Sequence, residues 1–172
     1  EFKFLYLLGS DNFHIKKGGE FIVYQGSHGD KGAEIADVVL PSPAYTEQEG
    51  LFSNIEGRVQ ECKKASYPIG GALEDWKIFN LILKKLDITN NLNNFSSLRK
   101  EVLSSIKNFS EINNLPKKEN ISSDKKNGEF YDEKLFINKI DYYYSNAICR
   151  SSKTMSDCRN IKKELPKTGT ND

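Results

Sequence analysis

The sequence predicts an α/β fold, a short run of parallel strands with small helices, followed by a helical and irregular C-terminal extension. Three observations predict it. Three apolar runs, Phe4 to Leu8, Phe21 to Tyr24 and Val38 to Leu40, follow one another closely and run unbroken rather than alternating with polar residues, the pattern of parallel strands covered on both faces. The first two open at their C-terminal ends into glycine-bearing polar loops, Gly9-Ser10-Asp11-Asn12 and Gln25-Gly26-Ser27-His28-Gly29-Asp30. From Asp75 onward the apolar residues recur at helical spacing.

Taken in order, Phe4 to Leu8 is the first strand and Lys17-Gly18-Gly19-Glu20 a turn into the second. Gly32 to Ala36 predicts a short helix, and Val38 to Leu40 a third strand stopped by Pro41. Thr46 to Lys63 reads as a loop or hairpin anchored by Phe52, Ile55, Val59 and Cys62 around Asn54-Ile55-Glu56-Gly57-Arg58. Trp76, Phe79, Ile82, Leu83 and Leu86 form one helical stripe, and Phe95, Leu98, Val102, Ile106 and Phe109 a second. Leu115 to Gly128 is rich in Lys, Asn and Ser, the composition of an exposed, mobile loop. Ala147 to Cys158 is rich in small residues and predicts a last helix; from Lys162 a disordered tail is expected. The boundary falls near residue 90, dividing an α/β part (1–90) from the extension (91–172).

Composition narrows the function. The 172 residues carry 25 basic and 24 acidic side chains, a net charge of +1. Such balance provides no electrostatic drive toward nucleic acid or anionic lipid. No run reaches the apolar length of a membrane span. The opening segment is short, charged and without a cleavage site, so it is not a signal peptide; lacking an initiator Met, it reads as a fragment or a processed product. Cys62, Cys149 and Cys158 are dispersed and odd in number, which predicts reduced thiols rather than a disulfide framework, a zinc site or an iron–sulfur cluster.

Few residues offer chemistry. His28 beside Asp30 is a candidate relay or anion contact, but no partner nucleophile or ligand accompanies it, which favours a hydrogen bond within its own loop. Gly26, Gly29 and Gly32 recur at intervals of three, matching neither a dinucleotide fingerprint nor a phosphate loop; they would permit a sharp turn or a close ligand approach at positive φ. Among Glu47, Glu49, Glu56 and Glu61, one is expected to form a buried pair with Arg58. Tyr142-Tyr143-Tyr144 suits a partner surface or a core edge. The N-x-[ST] triplets at Asn94, Asn108 and Asn120 read as chance matches.

One long stretch is far more specific. Tyr24-Gln25-Gly26-Ser27-His28-Gly29-Asp30-Lys31-Gly32-Ala33-Glu34-Ile35-Ala36-Asp37-Val38-Val39-Leu40-Pro41 continues into Ala44-Tyr45-Thr46-Glu47 and then Asn54-Ile55-Glu56-Gly57-Arg58-Val59-Gln60. Together they closely resemble the large iron–sulfur subunit of respiratory complex I, within the wider molybdopterin oxidoreductases. Glu74-Asp75-Trp76-Lys77-Ile78 and the C-terminal Asp141-Tyr142-Tyr143-Tyr144 with Ile148 to Met155 resemble the same subunit.

The resemblance implies the C-terminal part of a molybdopterin-oxidoreductase-like domain that builds structure, while the whole complex passes electrons from NADH to quinone. It implies no catalytic residue, metal or cofactor in this segment, with 4Fe-4S and 2Fe-2S clusters held upstream in the parent subunit. Other peripheral-arm subunits would be its partners, on the matrix side of a mitochondrial inner membrane or the cytoplasmic side of a bacterial one. Asp37, Glu47, Asn54, Glu56, Gly57, Arg58 and Gln60 stand as a structural motif, with Asp37 and Glu56-Gly57-Arg58 expected to lock the segment after Pro41 over a former pterin cleft. Arg58→Ala would then strand a carboxylate at a cost of about 3–5 kcal/mol. The alternative is a fragment of a live molybdopterin enzyme, such as a formate dehydrogenase, whose loop Gly26, His28, Gly29 and Asp30 contacts the cofactor.

Overall fold

The computed structural model describes residues 2–10, 16–90, 92–106, 109–115, 134 and 140–164. Three parallel strands, β1 (Phe4–Leu8), β2 (Phe21–Gly26) and β3 (Val38–Pro41), form a sheet in the order β1-β2-β3. Leu5 faces Ile22 and Leu7 faces Tyr24 across the first ladder, and Val23 faces Val38 across the second. The helix α1 (Lys31–Ile35) connects β2 to β3. Asp37 closes that crossover: its amide donates to the Ile22 carbonyl at 2.8 Å and its carboxylate accepts from the Ile22 amide at 2.8 Å.

Strand alternation sends Leu7, Ile22 and Tyr24 to one face, where Leu5, Ala33, Ile35 and Ala36 pack against them as the core under α1. Helix α2 (Asp75–Lys85) takes the other face, its Phe79 ring 5.6 Å from that of Tyr6. Coverage on both faces, expected of all three strands, holds for β2 only. Phe4 and Leu8 on β1, and Val38 and Val39 on β3, stay exposed. Both are edge strands, and two short helices cannot roof their full width.

After Pro41, β4 (Gly50–Ser53) and β5 (Val59–Cys62) form an antiparallel hairpin. Val59 is its buried anchor, whereas Ile55 at the tip is fully exposed (105%) and Phe52 half exposed, correcting their expected roles. In α2 the buried residue is Ile78, off the expected stripe, while Leu86 lies open. The helix is aimed by its start, where the Glu74 carboxylate holds Lys64 Nζ and Trp76 Nε1, each at 2.8 Å. Helix α3 (Phe95–Ser105) begins on Asn94, whose side chain accepts from the Ser97 amide in a reciprocal capping box. That is the structural meaning of a residue read only as a chance triplet.

In place of one last helix there are two, α4 (Ala147–Ser151) and α5 (Lys153–Glu164), separated by the extended Ser152. Helix α5 runs past Lys162, where a tail was expected to start. The expected mobile loop beyond Leu115 and the rest of the tail lie outside the described residues, as do His14, Asn108 and Asn120.

Candidate functional site

The C-terminal ends of parallel strands are where open α/β sheets present their clefts. Here the cleft is about 660 Å³, bordered by Leu8 and Gly9 after β1, Gln25 to Ser27 after β2, and Ser42 and Pro43 after β3. Asp75 closes one side, and Ser145 to Ile148 with Arg150, from the C-terminal segment, close another.

Gln25 is its buried polar centre. It sits in an apolar strand, fully buried, accepting from the Tyr6 hydroxyl and donating through Nε2 to Asp75 Oδ1 at 2.6 Å. Burial, then the charge of Asp75, raise the Tyr6 phenol above its ordinary value. The three side chains join β1, β2 and α2 through one hydrogen-bonded chain.

The glycines of the loop serve packing. None of Gly26, Gly29 and Gly32 has the positive φ expected of them. A Cβ on Gly32 would stand 2.6 Å from the Ser10 carbonyl oxygen and 2.9 Å from the Tyr24 ring. Tyr24 donates to the His28 carbonyl at 2.8 Å, and the His28 Nδ1 lies 2.9 Å from Ser27 Oγ. The loop is thus wound around the Tyr24 side chain.

Asp30 binds across the fold. Its carboxylate pairs with Arg150 Nε, 120 residues away in sequence, and Arg150 Nη1 also donates to the Tyr144 carbonyl at 3.1 Å. Tyr144 in turn bonds Ser156 Oγ at 3.1 Å and lies beneath the Arg159 guanidinium, 4.6 Å from its ring centroid. Arg159 completes the circuit to Asp141 Oδ2 at 2.6 Å. The extension is therefore fastened to the glycine loop through Arg150.

Burial pushes the Asp30 carboxyl up, but the Arg150 hydrogen bond, the Lys31 amide and both cationic charges outweigh it and hold the group below the usual aspartate range. A carboxyl depressed in the folded state contributes stability that is full above the ordinary aspartate value of about 4 and fades as pH falls through the lower folded value. Asp30→Asn should remove that acid-side loss and cost about 1 kcal/mol at neutral pH; thermal melts from pH 2 to 7 check both.

The hairpin motif is organised by Asn54 rather than Arg58. Asn54 Oδ1 accepts from the Glu56 amide at 3.0 Å and the Arg58 amide at 2.9 Å, while Gly57 takes φ 80°. Asn54→Ala leaves two turn amides to water and should cost about 1–2 kcal/mol, read as a fall in the unfolding midpoint. The expected buried pair of Arg58 does not form among the described residues. Its Nε is buried without a hydrogen bond, Glu61 pairs instead with Lys63 and Arg99, and Glu47 accepts from the Ala44 amide at 3.0 Å. Arg58→Ala therefore strands no carboxylate. Asp37 pairs with Lys17 at 2.6 Å and anchors β2, not the segment after Pro41. Gln60 is exposed on β5, opposite Phe52.

Sequence reasoning missed the connected set of Gln25, Tyr6 and Asp75, and separately the pairing of Arg150 with Asp30. Gln25 did carry a signal, a polar side chain closing an apolar run. No group of three or more His, Cys, Asp or Glu side chains converges among the described residues, and no helix there is long and apolar enough to cross a membrane.

Residues 1–85 match the family model of the molybdopterin oxidoreductases. The chain is 41% identical over 168 residues to the NADH-ubiquinone oxidoreductase 75 kDa subunit of Reclinomonas americana, an alignment that covers 93% of this chain and 24% of that protein. It is 38% identical to the mitochondrial NADH-ubiquinone oxidoreductase 78 kDa subunit of Candida albicans, over 91% of this chain and 23% of the relative. The mitochondrial 78 kDa subunit of Neurospora crassa is 37% identical over 94% of this chain and 23% of its own length. The similarity thus runs through the sheet, the cleft loops and the C-terminal segment alike. The chain belongs to the family of the 75 kDa subunit of NADH-quinone oxidoreductases, and it spans about a quarter of the length of the relatives it matches.

Proposed function

We propose that this chain is the structural, non-redox C-terminal segment of the large subunit of a proton-pumping NADH:quinone oxidoreductase. Electron transfer from NADH to quinone belongs to the whole complex, and the iron–sulfur clusters to other parts of the subunit. The observation that carries this reading is the Asp30–Arg150 pair. Through it the chain's own C-terminal segment borders the cleft where a live enzyme of the molybdopterin family would receive its cofactor. The donor set supports the same reading. Among the described residues, Asp75 and Arg150 are the charged side chains bordering the cleft; Asp75 is engaged by Gln25 and Arg150 by Asp30. Among the described residues that lining offers an anionic pterin cofactor no uncommitted cation. Three dispersed cysteines fall short of the four thiolates a cluster usually takes.

The partners are other peripheral-arm subunits, docked on the aromatic C-terminal segment, where Tyr142 stands exposed. Affinity capture of the tagged chain from solubilised membranes should retrieve NADH:quinone oxidoreductase subunits. Deleting residues 147–158 should abolish that capture. Stoichiometric molybdenum in the parent protein would overturn the reading in favour of a live molybdopterin enzyme.

A further inference from the structure

The C-terminal segment from residue 140 to 164 is organised around its own tyrosine rather than around the sheet. The closely packed neighbours of α4 and α5 are the 3-10 turn Tyr142–Tyr144 and each other. Its hydrogen bonds close on themselves as well. Asp141 Oδ1 accepts from the Tyr143 amide at 3.2 Å and Asn146 Oδ1 from the Cys149 amide at 2.9 Å, while the Tyr144 hydroxyl reaches Ser156 on α5. No residue from 140 to 161 is buried, whereas the sheet holds the core of Leu7, Ile22 and Tyr24. A segment with so few buried apolar contacts opens at a fraction of the free energy that unfolds the core.

The bond that carries this unit to the sheet is a charged one. Arg150 Nε donates to the Asp30 carboxylate, the two side chains being 16% and 17% exposed. Such a pair is shielded enough from water to hold, yet it fails as soon as either charge is lost. The same unit supplies one wall of the cleft, through Ser145 to Ile148 and Arg150. Ser42, 8% exposed, lines the cleft from the sheet side. We propose that residues 140–164 form a strap that comes off the cleft as one unit while the sheet stays folded, with Asp30–Arg150 as its latch. Opening removes a wall of the cleft, so the latch sets access to it. The inference stands on the geometry of this chain and not on the proposed function.

The test uses the full chain with Ser42→Cys, whose introduced thiol is alkylated and read by peptide mass spectrometry apart from Cys62, Cys149 and Cys158. Arg150→Glu sets two carboxylates against each other and should speed that alkylation about tenfold. The exchange of Asp30→Arg with Arg150→Asp restores the attraction and should return the rate to within about threefold of the parent. In all three chains the amides of α5 should exchange hydrogen at least about 100-fold faster than the Tyr24 amide on the central strand. An alkylation rate unmoved by Arg150→Glu overturns the inference, as does a charge exchange that rescues nothing. Protection lost at Tyr24 and α5 together also overturns it, and so does an Arg150→Glu chain that no longer folds, since the sheet would then depend on the latch.

Discussion

Tyr24→Ala is expected to destabilise the chain by about 4 kcal/mol, as befits a large aromatic removed from a packed core. Tyr24 is almost wholly buried, on the central strand, among Leu7 and Ile22. Its ring is also the object around which the glycine loop turns, with Gly32 against its face and the His28 carbonyl accepting its hydroxyl. Removal opens a cavity and frees the loop that carries Asp30, and with it the hold on the C-terminal segment. Domains of this kind are stable by only about 5–15 kcal/mol, so a loss of that size lowers the melting temperature by roughly 10 °C. Two further variants separate the causes. Tyr24→Phe keeps the ring and should cost about 1 kcal/mol. Gly32→Ala leaves Tyr24 intact but drives a methyl group against a backbone oxygen that cannot rotate away, at about 1–3 kcal/mol. If Tyr24→Ala melts within a degree or two of the parent, the loop is not built on this ring.

Gln25→Leu should cost about 3 kcal/mol even though it conserves volume and adds apolar surface to a buried site. The amide it removes satisfies both the Tyr6 hydroxyl and an oxygen of Asp75. Tyr6 and Asp75 are half-buried, and partners stripped in such surroundings cost about 1–3 kcal/mol each. Pairing Gln25→Leu with Asp75→Ala should recover part of the loss, because the stranded carboxylate is then gone; a coupling of about 1–2 kcal/mol in the double-mutant cycle is expected. Strict additivity would mean that the three side chains are neighbours without being a network.

The local elements were legible because local forces make them. Apolar runs announced β1, β2 and β3, and helical spacing announced α2 closely and the start of α3, whose expected stripe ran to Phe109 whereas the helix ends at Ser105. The stretch from Tyr24 to Gln60 announced the family, which the relatives bear out over more than nine-tenths of the chain. What sequence could not reveal depends on partners far along the chain. Arg58 was assigned a buried carboxylate by proximity in sequence, yet the nearby Glu61 turned to Lys63 and Arg99. The long-range ion pair that did form joins Asp30 to Arg150 across 120 residues, a separation over which no periodicity or spacing rule carries information.

By itself, then, the sequence determined the strand and helix segments, the neutral charge balance, the shortage of thiolates and the kinship. The tertiary structure alone decided that the buried Gln25 is the hub of a hydrogen-bond chain, that the glycines make room for Tyr24, and that β3 ends the sheet among the described residues. The physical reason is reach. Propensity and pattern act over a few residues, whereas the burial of a polar group, the fit of a ring and the pairing of an edge are settled by whichever distant segment arrives against them.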